Sequence, residues 1–506
     1  MVTTRDDSLI APRVLSVPVT RSADGSTGGS LVVVSNREPY SHEWVGDAVA
    51  DPDESDTRVT AATGGLTSAL DPILRSRGGT WVAWASGGAD MAVADDGEVG
   101  VPPDEERYTL RRVPLSESAV EGYYDGYANQ VLWPLCHEDT GRIWAAPSFW
   151  TQYRAVNERF AEAVVDVTEA DQRVWFQDYH LALAPRRVRE ARPDATLHHF
   201  WHIPWPAPGV FAHCPHGGDV LDGLLACDAV GFHTAEYAAE FCRTADATFP
   251  DATVDVDSGV VRRDGHETRA VANPLGIEAD GVRRRAGAAD TDAVRRDVLG
   301  DALPDPSIPL VLGVERLDYT KGILERFAAL EHLWETHPER RGTFTYVQKA
   351  SRTRESIPAY SDYRAAVHDA VDRLAERFGT DDWRPVVLTE RRLDRDTLAG
   401  LYRAADVALV TPHRDGMNLV AHEYPVACVD GEGVLVLSEL AGAATTLDGA
   451  LTVNPHDVEA IAGAIDRALG LDDDERRARL DRLCATVDDL AGDGWVERQF
   501  DAEERA

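Results

Sequence analysis

The strongest constraint on the fold is a repeated pairing of a short apolar run with an amphipathic segment. Leu31-Val32-Val33-Val34-Ser35 is apolar until it ends in polar residues, the pattern of a parallel strand buried on both faces. Similar runs occupy 81–85, 173–176, 196–201, 229–232, 309–314, 343–347, 386–389, 407–410 and 434–437. Helical patterns lie between many of them. In 361–378, Tyr363, Val367, Ala370, Leu374 and Phe378 share one helical face, and in 456–470 so do Val458, Ile461, Ile465 and Leu469. Strands alternating with helices predict an α/β protein with parallel sheets.

Two such sheets are expected, separated by the turn-forming Asn273-Pro274-Leu275-Gly276. The predicted organisation is a polar, Gly/Ser-rich tail at 1–29, a first Rossmann-like domain at 30–274, a second at 275–482, and a charged helical segment at 483–506 that can pack back on the first domain. The acidic, turn-rich segment 42–61 reads as a loop.

Lysine is nearly absent. The chain has two, Lys321 and Lys349, against 51 basic residues in all. Lys321 closes the run Val314-Glu315-Arg316-Leu317-Asp318-Tyr319-Thr320-Lys321-Gly322, just after an apolar stretch. Arg316 and Lys321 make a cationic clamp, a planar fork plus a mobile point charge, suited to a diphosphate. An ordinary surface loop is the alternative for these two residues alone.

The charge balance is extreme: 87 acidic residues against 51 basic give a net charge of −36. Such a field opposes nucleic acid and anionic membranes as partners. High acid with little lysine is the pattern expected in a concentrated-salt cytoplasm, where screening at about 1 M salt shortens the Debye length to roughly 3 Å. An acidic protein from a high-GC genome is the simpler alternative. The six cysteines form no CxxC pair and read as reduced, mostly buried thiols. No apolar run reaches transmembrane length and no signal-peptide core is present, so a soluble, cytoplasmic protein is expected.

Paired Rossmann-like sheets bind ligands at the carboxyl ends of their strands. Ser35-Asn36-Arg37 follows the first strand, and Gly64-Gly65-Leu66 precedes a helical pattern, where backbone N–H groups can approach a phosphate. A Gly-Gly pair is also an ordinary turn. After 407–410 comes Thr411-Pro412-His413-Arg414-Asp415-Gly416-Met417-Asn418-Leu419-Val420-Ala421-His422-Glu423. A loop entering a helix there aims N–H groups of 416–420 at an anion. Glu423, a turn further in, can accept from vicinal ribose hydroxyls, and Asp415 can hold sugar hydroxyls. N-capping or surface solvation would explain either acid taken singly. Gln177-Asp178-Tyr179-His180 and Trp201-His202-Ile203-Pro204-Trp205 also follow strands, with aromatic and polar groups suited to sugar rings. His198, His199, His202, His213 and His216 match no clear zinc spacing, so no metal or cofactor is expected.

These segments together resemble the trehalose-6-phosphate synthase family, retaining glycosyltransferases of the GT-B fold. The resemblance is carried in order by VVVSNR (32–37), GGL (64–66), YYDGYANQVLWP (123–134), DYH (178–180), HIPWP (202–206), GFHT (231–234), NPLGIE (273–278), VERLDYTKG (314–322) and TPHRDGMNLVAHEY (411–424). It implies transfer of glucose from a nucleotide diphosphate glucose, foremost UDP-glucose, to glucose 6-phosphate with retention of configuration. The resemblance assigns Arg316 and Lys321 to the donor diphosphate, Gly65 to its phosphates and Glu423 to its ribose. Asp415 and His202 contact the transferred glucose, with the backbone of Gly416, Met417, Asn418, Leu419 and Val420. On the acceptor side Arg37, Tyr124 and Arg354 bind the 6-phosphate, and Trp84, Trp133 and Asp178 shape the sugar pocket. Arg354 is preferred to Arg352 because Arg354-Glu355-Ser356-Ile357-Pro358-Ala359-Tyr360 fits the family's Arg-x-x-Val/Ile-x-x-Tyr pattern, and Trp84 narrowly to Trp81.

The sequence departs from the family pattern at Gln177, where histidine is usual, at His422, where lysine is usual, and at Trp205, where phenylalanine is common. These departures leave the donor base and acceptor scope open. A glucosylglycerol-phosphate synthase and a non-catalytic sugar-phosphate sensor are the alternatives. No phosphatase pattern follows residue 320, so a separate trehalose-6-phosphate phosphatase is expected, and homo-oligomerisation is left open. From the charge we predict that the fold loosens at low salt: Tm should fall as KCl is withdrawn, and a Tm independent of KCl would remove the salt-adapted reading.

Overall fold

The structure is a computed structural model and describes residues 31–45, 57–62, 64–169, 172–300, 307–490 and 494–504. The expected tail at 1–29 lies outside the described residues. Eighteen strands form two large sheets and a hairpin. In chain order they are β1 (Leu31–Arg37), β2 (Tyr40–Trp44), β3 (Thr57–Ala61), β4 (Gly79–Trp84), β5 (Glu98–Val101), β6 (Tyr108–Val113), β7 (Arg173–Gln177), β8 (Thr196–Trp201), β9 (Ala229–Phe232), β10 (Thr253–Asp255), β11 (Val260–Arg263), β12 (His266–Ala272), β13 (Leu310–Arg316), β14 (Thr345–Ser351), β15 (Val386–Thr389), β16 (Val407–Val410), β17 (Val434–Ser438) and β18 (Leu451–Val453).

The first sheet runs β10-β11-β12-β9-β8-β7-β1-β4-β6-β5 and the second β15-β14-β13-β16-β17-β18. The second is parallel throughout, and the first is parallel from β12 to β6 with antiparallel edges. In each sheet the first strand sits inside: β1 lies between β7 and β4, and β13 between β14 and β16. The chain therefore winds outward in both directions, leaving a crevice beyond the carboxyl ends of β1 and β13. Arg37 and Arg316 stand at those two ends.

Several expectations need correction. The segment 42–61 is no simple loop: its described residues belong to the antiparallel hairpin β2–β3, in which Tyr40 pairs with Ala61 and Trp44 with Thr57. Only Tyr40 and His42 of β2 are buried and β3 is exposed or half-buried, so no apolar run marked the hairpin. The short edge strands β5, β10, β11 and β18, together with β6 and β12, were missed for want of a continuous apolar run. The expected strand at 343–347 is β14, shifted to Thr345–Ser351, and that at 309–314 is β13, ending at Arg316. In both, polar or charged residues complete a strand whose backbone pairing decides its length. The expected strand at 81–85 is β4, Gly79–Trp84. The faces proposed for 361–378 and 456–470 lie in the helices Pro358–Phe378 and Val458–Gly470, where Ile461 and Ile465 are buried with the five residues of the first face.

The helical pattern near 474–500 is two helices, Asp473–Leu490 and Gly494–Glu504. Residue 483, the expected boundary, falls inside the first of them, where Leu480, Leu483 and Val487 are buried. The second helix reaches the first sheet. Trp495 packs on Trp175 of β7 at 4.6 Å and edge-on to Phe200 of β8 at 4.9 Å. The turn-forming Asn273 is fully buried beneath it. Asn273 Nδ2 donates to Trp495 O at 2.9 Å, and its Oδ1 accepts from Arg498 Nε at 2.9 Å. The crossing between the sheets is thus clamped by the end of the chain. Trp495→Ala should cost about 3–5 kcal/mol, as expected for a buried aromatic, read as a lower denaturant midpoint; a change below about 1 kcal/mol would show that the clamp is dispensable.

Candidate active site

The crevice between the two sheets is lined by residues from both, and each arrives for a local reason. A bulge in β1 skips Asn36, so Ser35 pairs with Ala83 and Arg37 with Trp84 of β4. Such a bulge re-aims the side chain that follows it. The bulge is pinned: Ser35 Oγ donates to Arg37 O at 2.7 Å, Trp81 Nε1 donates to Ser35 Oγ at 2.8 Å, and Tyr123 OH donates to Asn36 Oδ1 at 3.0 Å. Trp81 is therefore fully buried and committed, whereas Trp84 stays partly exposed and tilts against Tyr124 at 6.2 Å.

Tyr124 belongs to a π-helix, Glu121–Leu132, an element frequent at functional sites. Gly126 lets this helix approach Pro147–Val167 closely, since a Cβ there would come within 2.5 Å of Phe149. Arg37 Nη2 donates to Tyr124 OH at 3.3 Å. Burial alone would raise the Tyr124 phenol, but the guanidiniums of Arg354, Arg37 and Arg316 outweigh it and bring the group down to about 8.

Arg354 comes from the second sheet, in a backbone conformation with φ +49°. It donates to Tyr179 OH at 2.9 Å and to Tyr360 OH, and its guanidinium lies 4.1 Å from the centre of the Trp133 ring. Arg316 and Lys321 also face that ring, at 5.2 and 5.9 Å. Trp133 is only 4% exposed, so its ring serves these cations more than an open pocket wall. Arg352, the competing candidate, is exposed and bound to Glu390 at 2.6 Å, away from this cluster.

Lys321 is buried and donates to Asp415 Oδ2 at 2.6 Å. Asn418 Nδ2 reaches the same oxygen at 3.0 Å, and Gly416 N–H turns onto Asp415 Oδ1 at 3.0 Å. Of the N–H groups expected to face an anion, that of Gly416 is therefore already used, while those of Met417, Asn418, Leu419 and Val420 make no hydrogen bond among the described residues. Burial would raise the Asp415 carboxyl, but Lys321, His137 and Arg316 hold it below the usual range, so it is ionised. Gly416 cannot be replaced, because a Cβ would sit 1.9 Å from His202 O across the crevice. Gly65, opening the helix Gly65–Arg77, lies against Leu419. Glu423 is in the helix Val420–Ala427, where Oε2 accepts from Tyr402 OH at 2.9 Å.

His202 Nε2 lies 2.9 Å from Gln177 Oε1. Burial, with His233 and His199 nearby, holds the imidazole well below its usual value, so it is neutral at pH 7. Asp178, with φ +69°, caps Tyr179 N–H at 3.0 Å, and burial pushes its carboxyl up to about 6 against that bond and Arg354. Asp178, Arg354 and Asn418 (φ +78°) all hold a backbone conformation unfavourable to side chains, as strained functional positions do.

Sequence reasoning passed over three groups here. Asp318 is fully buried between the arginines: Oδ2 lies 3.6 Å from both Arg316 Nη2 and Arg354 Nη1, and Oδ1 accepts from Thr320 N–H and Oγ1. Arg326, also fully buried, pairs with Glu315 and donates to Thr411 Oγ1 at 2.7 Å and to Lys321 O at 2.9 Å, tying the loops after β13 and β16 together. Tyr237 OH of the first body donates to Asp415 O at 3.0 Å. The motif containing Asp318, Arg316 and Thr320 was visible, but Arg354 arrives from the segment after β14. Among the described residues no three His, Cys, Asp or Glu side chains are grouped to hold a metal ion.

The Tyr124 assignment carries a pH prediction. With the free group near 8, its phenolate forms as pH rises through that value and repels an anionic ligand. The kcat/KM for a phosphorylated acceptor should fall above about pH 8 by loss of one proton, and Tyr124→Phe should abolish that limb; its persistence in the variant would remove Tyr124 from the acceptor site.

The signature of glycosyltransferase family 20 matches residues 29–505. A trehalose-6-phosphate synthase of Mycobacterium sp. (strain KMS) is 38% identical over 487 residues, covering 94% of this chain and 96% of its own length. The α,α-trehalose-phosphate synthase (UDP-forming) of Burkholderia xenovorans in complex with glucose 6-phosphate aligns with a TM-score of 0.81 at 32% identity, covering 94% of this chain and 100% of its own. An E. coli structure bound with UDP-2-fluoro glucose aligns at 0.82 and 30% identity, over 94% of this chain and 99% of its own. With these matches along nearly its whole length and two parallel sheets facing one crevice, the chain belongs to glycosyltransferase family 20 and has the GT-B fold.

Proposed function

We propose that this protein is an α,α-trehalose-6-phosphate synthase, transferring glucose from UDP-glucose to glucose 6-phosphate with retention of configuration. The observation that carries the reading is the convergence of Arg37, Arg354, Arg316 and Lys321 on one crevice, with two buried carboxylates, Asp318 and Asp415, among them. Even with Asp178 added to Asp318 and Asp415, the four cations are in excess, which suits phosphate-bearing substrates. Arg37, Tyr124 and Arg354 hold the acceptor 6-phosphate, Trp84 and Asp178 shape its sugar pocket, and the buried Trp133 acts on that pocket through the cations stacked on its ring. Arg316, Lys321 and Gly65 hold the donor diphosphate, Glu423 its ribose, and Asp415, His202 and the 416–420 backbone its glucose.

In this reading the acceptor hydroxyl oxygen bonds to the donor anomeric carbon as the bond from that carbon to the diphosphate oxygen breaks. Both events occur on one face, and the leaving phosphate oxygen takes the acceptor proton. Asp415, paired with Lys321, orients and balances charge, and the neutral His202 offers hydrogen bonds without competing for the proton. Arg316 and Lys321 stabilise the charge that develops on the leaving group. UDP is favoured as carrier because the Burkholderia relative is UDP-forming and the E. coli structure holds a UDP-sugar. The product is a phosphate ester, which a separate phosphatase would convert to trehalose. A salt-adapted cytoplasm, with trehalose as osmoprotectant, is the setting that the net charge of −36 favours.

The test is product formation in about 2 M KCl, a salt level at which surface charge is screened. UDP-, ADP- and GDP-glucose would each be offered with glucose 6-phosphate or glycerol 3-phosphate, and products resolved by mass and anomeric NMR. An α,α-linked disaccharide phosphate is expected from UDP-glucose, and Lys321→Ala should lower its rate by about 3–4 kcal/mol, hundreds-fold. A glucosylglycerol phosphate would overturn the acceptor, and saturable binding without turnover would overturn the enzyme reading.

A further inference from the structure

Behind Arg37 and Trp84 lies a charged cluster with almost no access to water. Glu38 is 4% exposed, Arg112 2% and Asp90 not at all. Glu38 Oε1 accepts two hydrogen bonds from Ser86, from its N–H at 2.9 Å and its hydroxyl at 2.8 Å. Glu38 Oε2 accepts from Arg112 Nε at 3.1 Å. Arg112, on β6, spends its remaining donors on Asp90 O at 2.6 Å, Asp90 Oδ1 at 2.8 Å, Tyr40 O at 3.0 Å and His42 Nδ1 at 2.7 Å. Asp90 in turn accepts from the N–H groups of His42 and Gly87, each at 2.6 Å. Burial and the adjacent Asp90 carboxyl push the Glu38 carboxyl up to about 8.

Burying such a group is costly, and stability alone gives little reason to keep it: apolar side chains of similar volume often fill such a site equally well. Its placement is informative. Glu38 directly follows Arg37 at the bulged end of β1, and Ser86 lies two residues beyond Trp84 at the end of β4. Arg37 is exposed, and among the described residues its one side-chain hydrogen bond goes to Tyr124, so its position is set largely by the backbone carrying it. The ladder to β4 is broken at the bulge and resumes at Arg37–Trp84, and beyond that pair the Glu38–Ser86 bonds carry the tie between the two strand ends one step further.

We propose that the buried Glu38–Arg112–Asp90 cluster is a positioning device for the acceptor site, locking the bulged end of β1 to the end of β4 and so setting Arg37 relative to Trp84. This rests on the acceptor reading of Arg37 and Trp84. The donor residues on β13 and in the 415–423 segment lie on the other body and are untouched by it. Loss of the cluster therefore acts on one substrate.

The experiment compares Glu38→Ala, Glu38→Gln and Ser86→Ala in the full chain. Each is assayed for steady-state KM with both substrates, direct calorimetric binding of glucose 6-phosphate, and Tm. Glu38→Ala should raise the acceptor KM and Kd about ten- to hundredfold, as a small misplacement of a binding group does, with the donor KM unchanged within about twofold. Glu38→Gln keeps an oxygen that accepts from Ser86 but turns an NH2 onto Arg112 Nε, so its acceptor KM should fall between those of wild type and Glu38→Ala. Ser86→Ala, which removes one of two bonds, should raise the acceptor KM alone by about threefold. Equal changes in both KM values, or an unchanged acceptor Kd in folded Glu38→Ala, would overturn the proposal. If Glu38→Ala does not fold, an unchanged acceptor Kd in Ser86→Ala overturns it. Wild-type protein that binds no glucose 6-phosphate would instead overturn the acceptor reading itself.

Discussion

Everything in the crevice depends on keeping four cations close together, the side chains of Arg354 and Lys321 buried and those of Arg37 and Arg316 open to solvent. Arg316, Lys321 and Arg354 surround one buried indole, Trp133, and Arg37 reaches the same region through Tyr124. Their mutual repulsion is contained by two carboxylates used economically. Asp318 divides one oxygen between Arg316 and Arg354, and Asp415 takes Lys321. The compensation is incomplete, and that shortfall is what makes the crevice attractive to phosphates. The low values of Asp415 and Asp318, and the lowered Tyr124 phenol, are three signs of the same positive field.

The field also requires both sheets. Arg354 is carried by the second body yet is anchored on Tyr179 of the first, and Asp415 is tied to Tyr237 across the crevice. Close backbone approaches reinforce this. Gly416 has no room for a side chain beside His202 O, and a Cβ at Gly65 would press on the tip of Leu419. At the back, the helix Gly494–Glu504 packs on the first sheet and bonds Asn273 where the chain leaves that sheet. Donor-side and acceptor-side groups are thus parts of one electrostatic unit, although each sheet builds its own half.

Much of this was legible in the residues. The runs at 196–201, 229–232, 386–389 and 407–410 coincide with β8, β9, β15 and β16, because a strand buried on both faces is apolar along its whole length. Strands with polar faces, such as β2 and β3, gave no such signal. The same limit applied in the site. Lys321 stood out as one of two lysines, Arg316 by its place beside it and Asp415 by its place after an apolar run, whereas Asp318, one among 87 acidic residues, did not.

What the sequence by itself determined is the alternation of buried strands and helices, hence two parallel sheets, and the set of charged and glycine residues at their strand ends. These follow from local periodicity and from side-chain chemistry, which need no partner to be recognised. Only the tertiary structure decided which groups face one another: that Arg112 and Asp90 close on Glu38 behind Arg37, that Asp318 spans two arginines, and that Trp133 lies under three cations. Those pairings join residues far apart along the chain, and burial makes each charge depend on its exact partner, so no local pattern encodes them.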